Sequence, residues 1–181
     1  MRIKFEEQFW ETKENMSKTQ DNLQAAFAGE SQANRKYLAF AEAAEKEGKV
    51  NLAKLFRSVA EGETIHALKH LNVLGKVKDS VENLKAAISG ETYEIESMYP
   101  SFISEAAQEG EKAAEISFHG ANEVEKIHQA HFSSALAEVE AGRDIEEKEY
   151  HVCLVCGNLF SQEVPDICPI CKASKEKFKK M

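Results

Sequence analysis

Proline and glycine are scarce in this 181-residue chain, which has three prolines and nine glycines. Two of the prolines, Pro165 and Pro169, lie in the last 20 residues. Because proline breaks helices, its scarcity over residues 1–164 favours a helical chain. Positive charge is also in deficit, since 23 lysines and arginines against 31 aspartates and glutamates give a formal net charge of −8. This balance argues against a nucleic-acid-binding protein, which needs a basic face.

Long apolar runs are missing as well. No stretch approaches the roughly 18 apolar residues of a membrane span, and residues 1–7 lack the apolar segment of a secretory signal. We therefore expect a cytoplasmic protein with no membrane partner. Cysteine is absent before residue 153, and all four cysteines fall close together near the end of the chain. In a reducing cytoplasm such a cluster is more typical of a metal site than of two disulfides.

Apolar residues recur at helical spacing as far as Gly142, and glycines interrupt the pattern. The spacing predicts four long helices, the third of them kinked by Pro100. They cover about residues 21–46, 50–74, 90–108 and 111–140. Residues 76–89 are predicted to be a connection long enough to cross a helical bundle, with room for a helical turn after Ser80. The predicted organisation is an N-terminal extension (1–20), a helical domain (21–142), a linker (143–149) and a cysteine-containing domain (150–181).

Two Glu-x-x-His pairs occupy equivalent places in the two halves of the helical region. Glu63 and Glu125 each lie fifteen residues after a Glu-Gly dipeptide, and a histidine follows each of them three residues later, as His66 and His128. A duplicated helical hairpin produces this pattern. The spacing puts each carboxylate and imidazole on one helix face, within an apolar stripe. Burying them is costly unless something compensates them, and metal ions are the simplest compensator.

The first and third predicted helices carry further carboxylates. Glu30 shares a helix stripe with Phe27 and Asn34, and Glu91 lies three residues before Glu94. Five carboxylates with two imidazoles suit a pair of iron or manganese ions better than a thiophilic metal. This arrangement matches the known pattern of ferritin-like di-iron four-helix bundles. The candidate catalytic residues and metal ligands are Glu30, Glu63, His66, Glu91, Glu94, Glu125 and His128.

The cysteines form two Cys-x-x-Cys pairs with eleven residues between them. Each pair can wrap its backbone around one metal ion, and two pairs complete a tetrahedral sulfur site for iron or zinc. The segment around them is too short to hold a core alone and needs a metal to fold. The predicted ligands are Cys153, Cys156, Cys168 and Cys171.

Several of these segments together resemble the rubrerythrin family over residues 21–181. The resemblance rests on Ala-Phe-Ala-Gly-Glu-Ser-Gln-Ala at 26–33, Glu-Thr-Ile-His-Ala at 63–67, Gly90-Glu91, Met-Tyr-Pro-Ser-Phe at 98–102 and the cysteine pairs. It implies a ferritin-like four-helix bundle followed by a rubredoxin-like domain. It also implies a cytoplasmic peroxidase that reduces hydrogen peroxide to water at a site with two iron ions, in oxidative-stress defence.

The same resemblance implies partners and ligand roles. An Fe(Cys)₄ site would resupply electrons from a donor protein such as a rubredoxin or an NAD(P)H reductase, and the chain would form a homodimer or a larger homo-oligomer. One iron ion would exchange His66 for Glu94 when its oxidation state changes. Two alternatives remain open: a ferroxidase or iron-handling protein, which the cysteine pairs disfavour, and a zinc-ribbon module on a metal-binding bundle.

Overall fold

The computed structural model describes residues 17–161 and 163–181. The aromatic residues of the predicted N-terminal extension, Phe5, Phe9 and Trp10, lie outside this range. The chain divides into two compact units, Met1–Lys78 and Asp79–Met181. Among the described helices, none has both the length and the apolar character needed to cross a lipid bilayer.

The first unit is a helical hairpin in which α1 spans Lys18–Lys46 and α2 spans Val50–Val73. The first helix begins earlier than predicted because Ser17 caps it. The Ser17 hydroxyl accepts a hydrogen bond from the Gln20 amide, and the Gln20 side chain accepts one from the Ser17 amide. Gly48, at φ 77°, gives the left-handed residue that ends α1 and starts the turn.

Small side chains line the interface of this hairpin near its turn. Ala41, Ala44 and Ala53 are buried there, and Phe56 packs against them. Alanine lets the two helix backbones approach closely, while the Phe56 ring, 5.6 Å from that of Phe40, fills the remaining space. The turn end of the hairpin is therefore closely packed.

The second unit begins with a long helical run. α3 (Ser80–Tyr93), a π-helical turn (Glu94–Met98) and α4 (Tyr99–Glu109) follow one another without a break. After a left-handed residue at Gly110, α5 spans Lys112–Glu140. α5 packs against both α3 and α4, so this unit contains the second helical hairpin that the sequence predicts.

The start of α3 corrects the connection predicted over residues 76–89. The Asp79 carboxylate accepts a hydrogen bond from the Glu82 amide at 2.9 Å and caps the helix, so α3 begins at Ser80. Only residues 74–79 connect α2 with α3. Gly90, the expected start of a helix, lies inside α3, where glycine weakens a helix without ending it. The predicted long connection is therefore wrong.

The kink expected at Pro100 stays a prediction, but a π-helical turn precedes this proline. The Tyr99 amide donates to the Glu94 carbonyl, five residues back, and Pro100 follows at the start of α4. A proline ring crowds the preceding helical turn and provides no amide hydrogen. The wider π turn relieves that crowding, and such turns are frequent at functional sites.

The cysteine-containing segment forms a three-stranded antiparallel sheet in the order β2–β1–β3. Its strands are β1 (His151–Cys153), β2 (Leu159–Phe160) and β3 (Phe178–Lys180), and a 3₁₀ turn at Lys175–Lys177 leads into β3. Two cysteines and two aromatic rings form the small core of this segment. Its members are Cys153, Cys168, Phe160 and Phe178, with the two ring centroids 4.8 Å apart. The predicted mainly α class with a small cysteine-rich domain is confirmed.

Candidate metal centres

The first unit holds three of the predicted ligands close together. Glu30 of α1 and Glu63 and His66 of α2 place one ligand atom each within 4.8 Å of one another. His66 Nδ1 lies 3.0 Å from a carboxylate oxygen of Glu63. The Glu63 side chain is 16% exposed and that of His66 is 59% exposed. These three residues, the first carboxylate group, offer two oxygens and one nitrogen to a metal ion.

A buried amide bridges the two helices beside this group. Asn34, one helical turn after Glu30, donates from Nδ2 to the Ala60 carbonyl at 2.7 Å and to the Thr64 hydroxyl at 2.8 Å. Thr64 directly follows Glu63 in the chain. Sequence reasoning places Asn34 on the stripe of Glu30 but assigns it no role, and it misses Thr64.

The second unit repeats this arrangement with its own residues. Glu91 of α3 and Glu125 and His128 of α5 place one ligand atom each within 4.8 Å of one another. His128 Nδ1 lies 2.6 Å from a Glu125 oxygen. Burial and the nearby Glu125 carboxylate raise the pKa of Glu91 to about 7. The carboxylates of this second carboxylate group are close enough to repel each other, and a bound cation would reduce that repulsion.

Glu94 and Tyr99 lie beside the second carboxylate group without belonging to it. Glu94 is outside the clusters of potential ligands found among the described residues. Burial and the charge of Glu125 nevertheless raise the pKa of the Glu94 carboxyl. Burial and then the charges of Glu125, Glu94 and Glu91 raise the pKa of the Tyr99 hydroxyl. Tyr99 therefore stays protonated and can donate a hydrogen bond towards these carboxylates.

The four cysteines converge on one point as free thiols. The sulfurs of Cys153 and Cys171 are 3.6 Å apart, and so are those of Cys156 and Cys168. Tetrahedral coordination with metal–sulfur bonds of about 2.3 Å puts sulfurs about 3.8 Å apart. The spacing of this cysteine group therefore fits one tetrahedral metal ion.

Backbone amides favour the thiolate form at Cys168. Burial opposes ionisation there, but backbone N–H groups of Cys171 and Ile170 donate to the sulfur, and the pKa of the thiol is lowered to about 7. Burial raises the pKa of Cys156. Asn158, which is fully buried, directs its Nδ2 at the Cys168 sulfur at 3.8 Å. The backbone amides and Asn158 thus stabilise a thiolate at Cys168 in particular.

His128 lies between the second carboxylate group and the cysteine loop. Its Nδ1 faces Glu125, and its Nε2 lies 3.3 Å from the carbonyl oxygen of Gly157. Gly157 directly follows Cys156 and packs near the buried Val124 of α5. When Nε2–H donates to this carbonyl, the Nδ1 lone pair is free for a metal. A hydrogen bond to the loop carbonyl would therefore favour the tautomer that has its proton on Nε2.

Two family models match this chain, one in the helical region and one in the cysteine-containing region. A family model described as rubrerythrin matches residues 21–136, and one described as rubrerythrin, rubredoxin-like domain, matches residues 151–179. Rubrerythrin-2 of Clostridium acetobutylicum is 39% identical over 174 residues, which cover 88% of this chain and 95% of that protein. Nigerythrin of Nitratidesulfovibrio vulgaris is 32% identical over 182 residues, which cover 93% of this chain and 89% of that protein.

A solved structure, the partially reduced state of nigerythrin, is 31% identical and covers 94% of this chain and 90% of its own, with a TM-score of 0.54. These matches confirm the ferritin-like helical domain, the rubredoxin-like cysteine domain and iron as the cofactor. The chain belongs to the rubrerythrin family, whose members are oxidoreductases.

Proposed function

We propose that this protein is a peroxidase that reduces hydrogen peroxide to water, with electrons delivered through an Fe(Cys)₄ centre in the cysteine group. The main support is that one chain carries both kinds of iron ligand. His128 joins them, because its two ring nitrogens face Glu125 on one side and the Gly157 carbonyl on the other. A protein that only stores iron has no need of a one-electron centre beside its carboxylates.

The first and second carboxylate groups, in this proposal, together hold two iron ions. Each supplies two glutamates and one histidine, and their sum is the four-glutamate, two-histidine set of ferritin-like di-iron sites. Two ferrous ions bound there would supply the two electrons that convert peroxide and two protons into two water molecules. Glu94 is the additional carboxylate, and in this proposal it would take the place of His66 as a ligand when the oxidation state of the iron changes.

The remaining predicted partners belong to the same proposal. The electrons come from a donor protein such as a rubredoxin or an NAD(P)H reductase, and the active form is a homodimer or a larger homo-oligomer. A reducing cytoplasm keeps the four cysteines free as metal ligands. The charges of Glu125, Glu94 and Glu91 act on the Tyr99 hydroxyl, which in this proposal donates a hydrogen bond to the carboxylates.

Stopped-flow mixing of the fully reduced protein with hydrogen peroxide and, separately, with dioxygen tests the proposal. The red colour of ferric Fe(Cys)₄ reports the cysteine group, and the near-ultraviolet absorption of ferric carboxylate iron reports the other site. We expect peroxide to oxidise the carboxylate-bound iron much faster than dioxygen does. Faster oxidation by dioxygen would instead support a ferroxidase.

A further inference from the structure

Each carboxylate group is accompanied by a threonine that directly follows one of its glutamates. Thr64 follows Glu63 on α2, and Thr92 follows Glu91 on α3. Both hydroxyls accept a hydrogen bond from a side-chain amide on the opposite helix. Asn34 Nδ2 of α1 lies 2.8 Å from Thr64 Oγ1, and Gln129 Nε2 of α5 lies 2.6 Å from Thr92 Oγ1.

Each threonine hydroxyl also forms a hydrogen bond within its own helix. Thr64 Oγ1 also donates to the Ala60 carbonyl at 3.2 Å, and Thr92 Oγ1 donates to the Ile88 carbonyl at 2.7 Å. Each hydroxyl thus donates within its own helix and accepts from the other helix, which uses its one donor and one of its two acceptor lone pairs. The hydroxyl can meet the amide only when the two helices have the observed register.

The amides at the other end of these bonds also lie next to ligands. Asn34 is four residues after Glu30, and Gln129 directly follows His128. In each unit, this hydrogen bond between the amide and the threonine therefore links the two helices at positions next to predicted metal ligands. A shift of either helix by one residue would separate both the bridge and the ligands.

Packing alone does not account for the asparagine. Asn34 is only 6% exposed, and its Oδ1 is buried with no hydrogen-bond partner among the described residues. A leucine there would bury more apolar surface and leave no unpaired oxygen. The two bonds that the Nδ2 of Asn34 makes to α2, beside Glu63, point instead to a role in placing the neighbouring carboxylates.

We propose that Asn34–Thr64 and Gln129–Thr92 are positioning pairs, which fix the helix register in each unit so that the ligands converge before a metal ion binds. The inference rests on the proposed use of the two carboxylate groups as a di-iron site. Carboxylates crowded without a cation repel one another and would otherwise separate. Groups that hold metal ligands in place typically change metal affinity on the order of 10–100-fold when they are removed.

The test measures cobalt(II) binding to the full chain, with its cysteine group filled beforehand by one zinc ion. Thr64→Val and Thr92→Val keep the side-chain shape and remove only the hydroxyl. We expect each to lower cobalt(II) affinity, followed by ligand-field absorption, on the order of 10–100-fold. Thr64→Ser and Thr92→Ser restore the hydroxyl and should restore the affinity. Asn34→Leu removes the other partner of the same bond, so the double variant Asn34→Leu/Thr64→Val should bind no more weakly than the weaker of Asn34→Leu and Thr64→Val.

Ser31→Ala is the matched control. Ser31 directly follows Glu30, as the threonines follow their glutamates, but its hydroxyl donates within α1 to the Phe27 carbonyl at 2.7 Å. Its removal should leave cobalt(II) affinity close to that of the unaltered protein. Unchanged affinity in the two valine variants would overturn the inference, even if the thermal midpoint of the metal-free protein falls. Failure of the serine variants to restore affinity would also overturn it.

The outcomes separate this inference from the proposed function. If the unaltered protein takes up two cobalt ions per chain and the valine variants bind them equally well, only the positioning role is wrong. If the unaltered protein, with zinc in its cysteine group, binds no cobalt, the di-iron site and the positioning role fail together.

Discussion

Glu91 and Glu94 differ in position although they lie only three residues apart. Glu91 has a ligand atom within 4.8 Å of those of Glu125 and His128, whereas Glu94 stands outside that cluster. An anionic oxygen stabilises ferric iron more than a neutral imidazole does. Glu94 is therefore suited to be a ligand of one oxidation state, and it begins the π-helical turn, where the backbone departs from regular helix.

Glu94→Ala should leave ferrous iron bound and raise the reduction potential of the carboxylate-bound iron, because the ferric state loses a negative ligand. Peroxidase activity should fall on the order of 10–100-fold. Iron content per chain and a potentiometric titration measure both effects. Glu96→Ala, an exposed position in the same π turn, is the control. An unchanged potential in Glu94→Ala would rule out the ligand exchange.

The metal-free protein should become less stable as pH rises from about 4.5 to about 7. The pKa of Glu91 is raised from 4.5 to about 7 by burial and by Glu125, with a smaller contribution from Glu94 and an opposing one from His128. Between these values the folded state binds more protons than the unfolded state, so stability is greatest below the window and is lost across it. Urea unfolding with a chelator at several pH values measures this slope.

Glu91→Gln should flatten that slope, because the amide does not titrate. Glu96→Gln, at the exposed position, should keep it. A slope that persists unchanged in Glu91→Gln would assign the pH dependence to other groups.

Helix periodicity and glycine positions were enough to predict where most helices lie. α1, α2 and α5 lie within a few residues of their predicted bounds, because each has an apolar stripe and a glycine at its end. The start of α3 does not follow from the glycines, because Gly90 lies inside the helix and the Asp79 side chain caps its first turn. The domain boundaries at residues 20, 142 and 149 stay predictions.

The metal groups follow from sequence more fully than the residues around them. Ten of the eleven predicted ligands lie in the three clusters that the structure brings together, because i, i+3 spacing fixes a shared helix face. Thr92 and Gln129 could not be predicted, since their contact depends on the register of two helices 37 residues apart in sequence. The Glu-Thr dipeptide, which occurs at both 63–64 and 91–92, is the feature of the sequence that points to the two threonines.

Asp79→Ala should lower the free energy of unfolding by about 1 kcal/mol, because the Glu82 amide loses its acceptor at the start of α3. Asp79→Ser can still accept this hydrogen bond and should retain most of the stability. Chemical denaturation followed by circular dichroism compares the two variants. Equal destabilisation by alanine and serine would mean that the cap does not set the start of this helix.

At the scale of the whole molecule, the cysteine domain and the helices depend on metal in different ways. The core of the cysteine domain consists of Cys153, Cys168 and Phe160 with a few partly buried neighbours. So small a core needs a metal to fold. The first helical hairpin instead has a packed alanine-rich end that involves no metal ligand.

Cys153→Ser should therefore release the metal of the cysteine group and unfold residues 150–181, while the helices keep their fold and their iron. Steady-state turnover with an NADH-linked donor should fall, and a single turnover of pre-reduced carboxylate iron should survive. Leu154→Ser, at the exposed neighbouring position, is the control. Full steady-state turnover in Cys153→Ser would show that electrons bypass this domain.

The π-helical turn changes the rotational phase of the helix that contains it. Each residue of an α-helix advances about 100° around the axis, and the turn at Glu94–Met98 adds one residue without advancing the phase. Tyr99 therefore faces nearly the same way as Glu91, whereas in an unbroken α-helix the two would diverge by about 80°. The ring centroids of Tyr99 and Phe102 lie 6.3 and 5.5 Å from that of Phe118. Deleting one residue of the turn would rotate the helix after it relative to the helix before it. Either Glu91 would then move away from Glu125, or the two rings would move away from Phe118. Ligand geometry and aromatic packing in this helix thus depend on a single inserted residue.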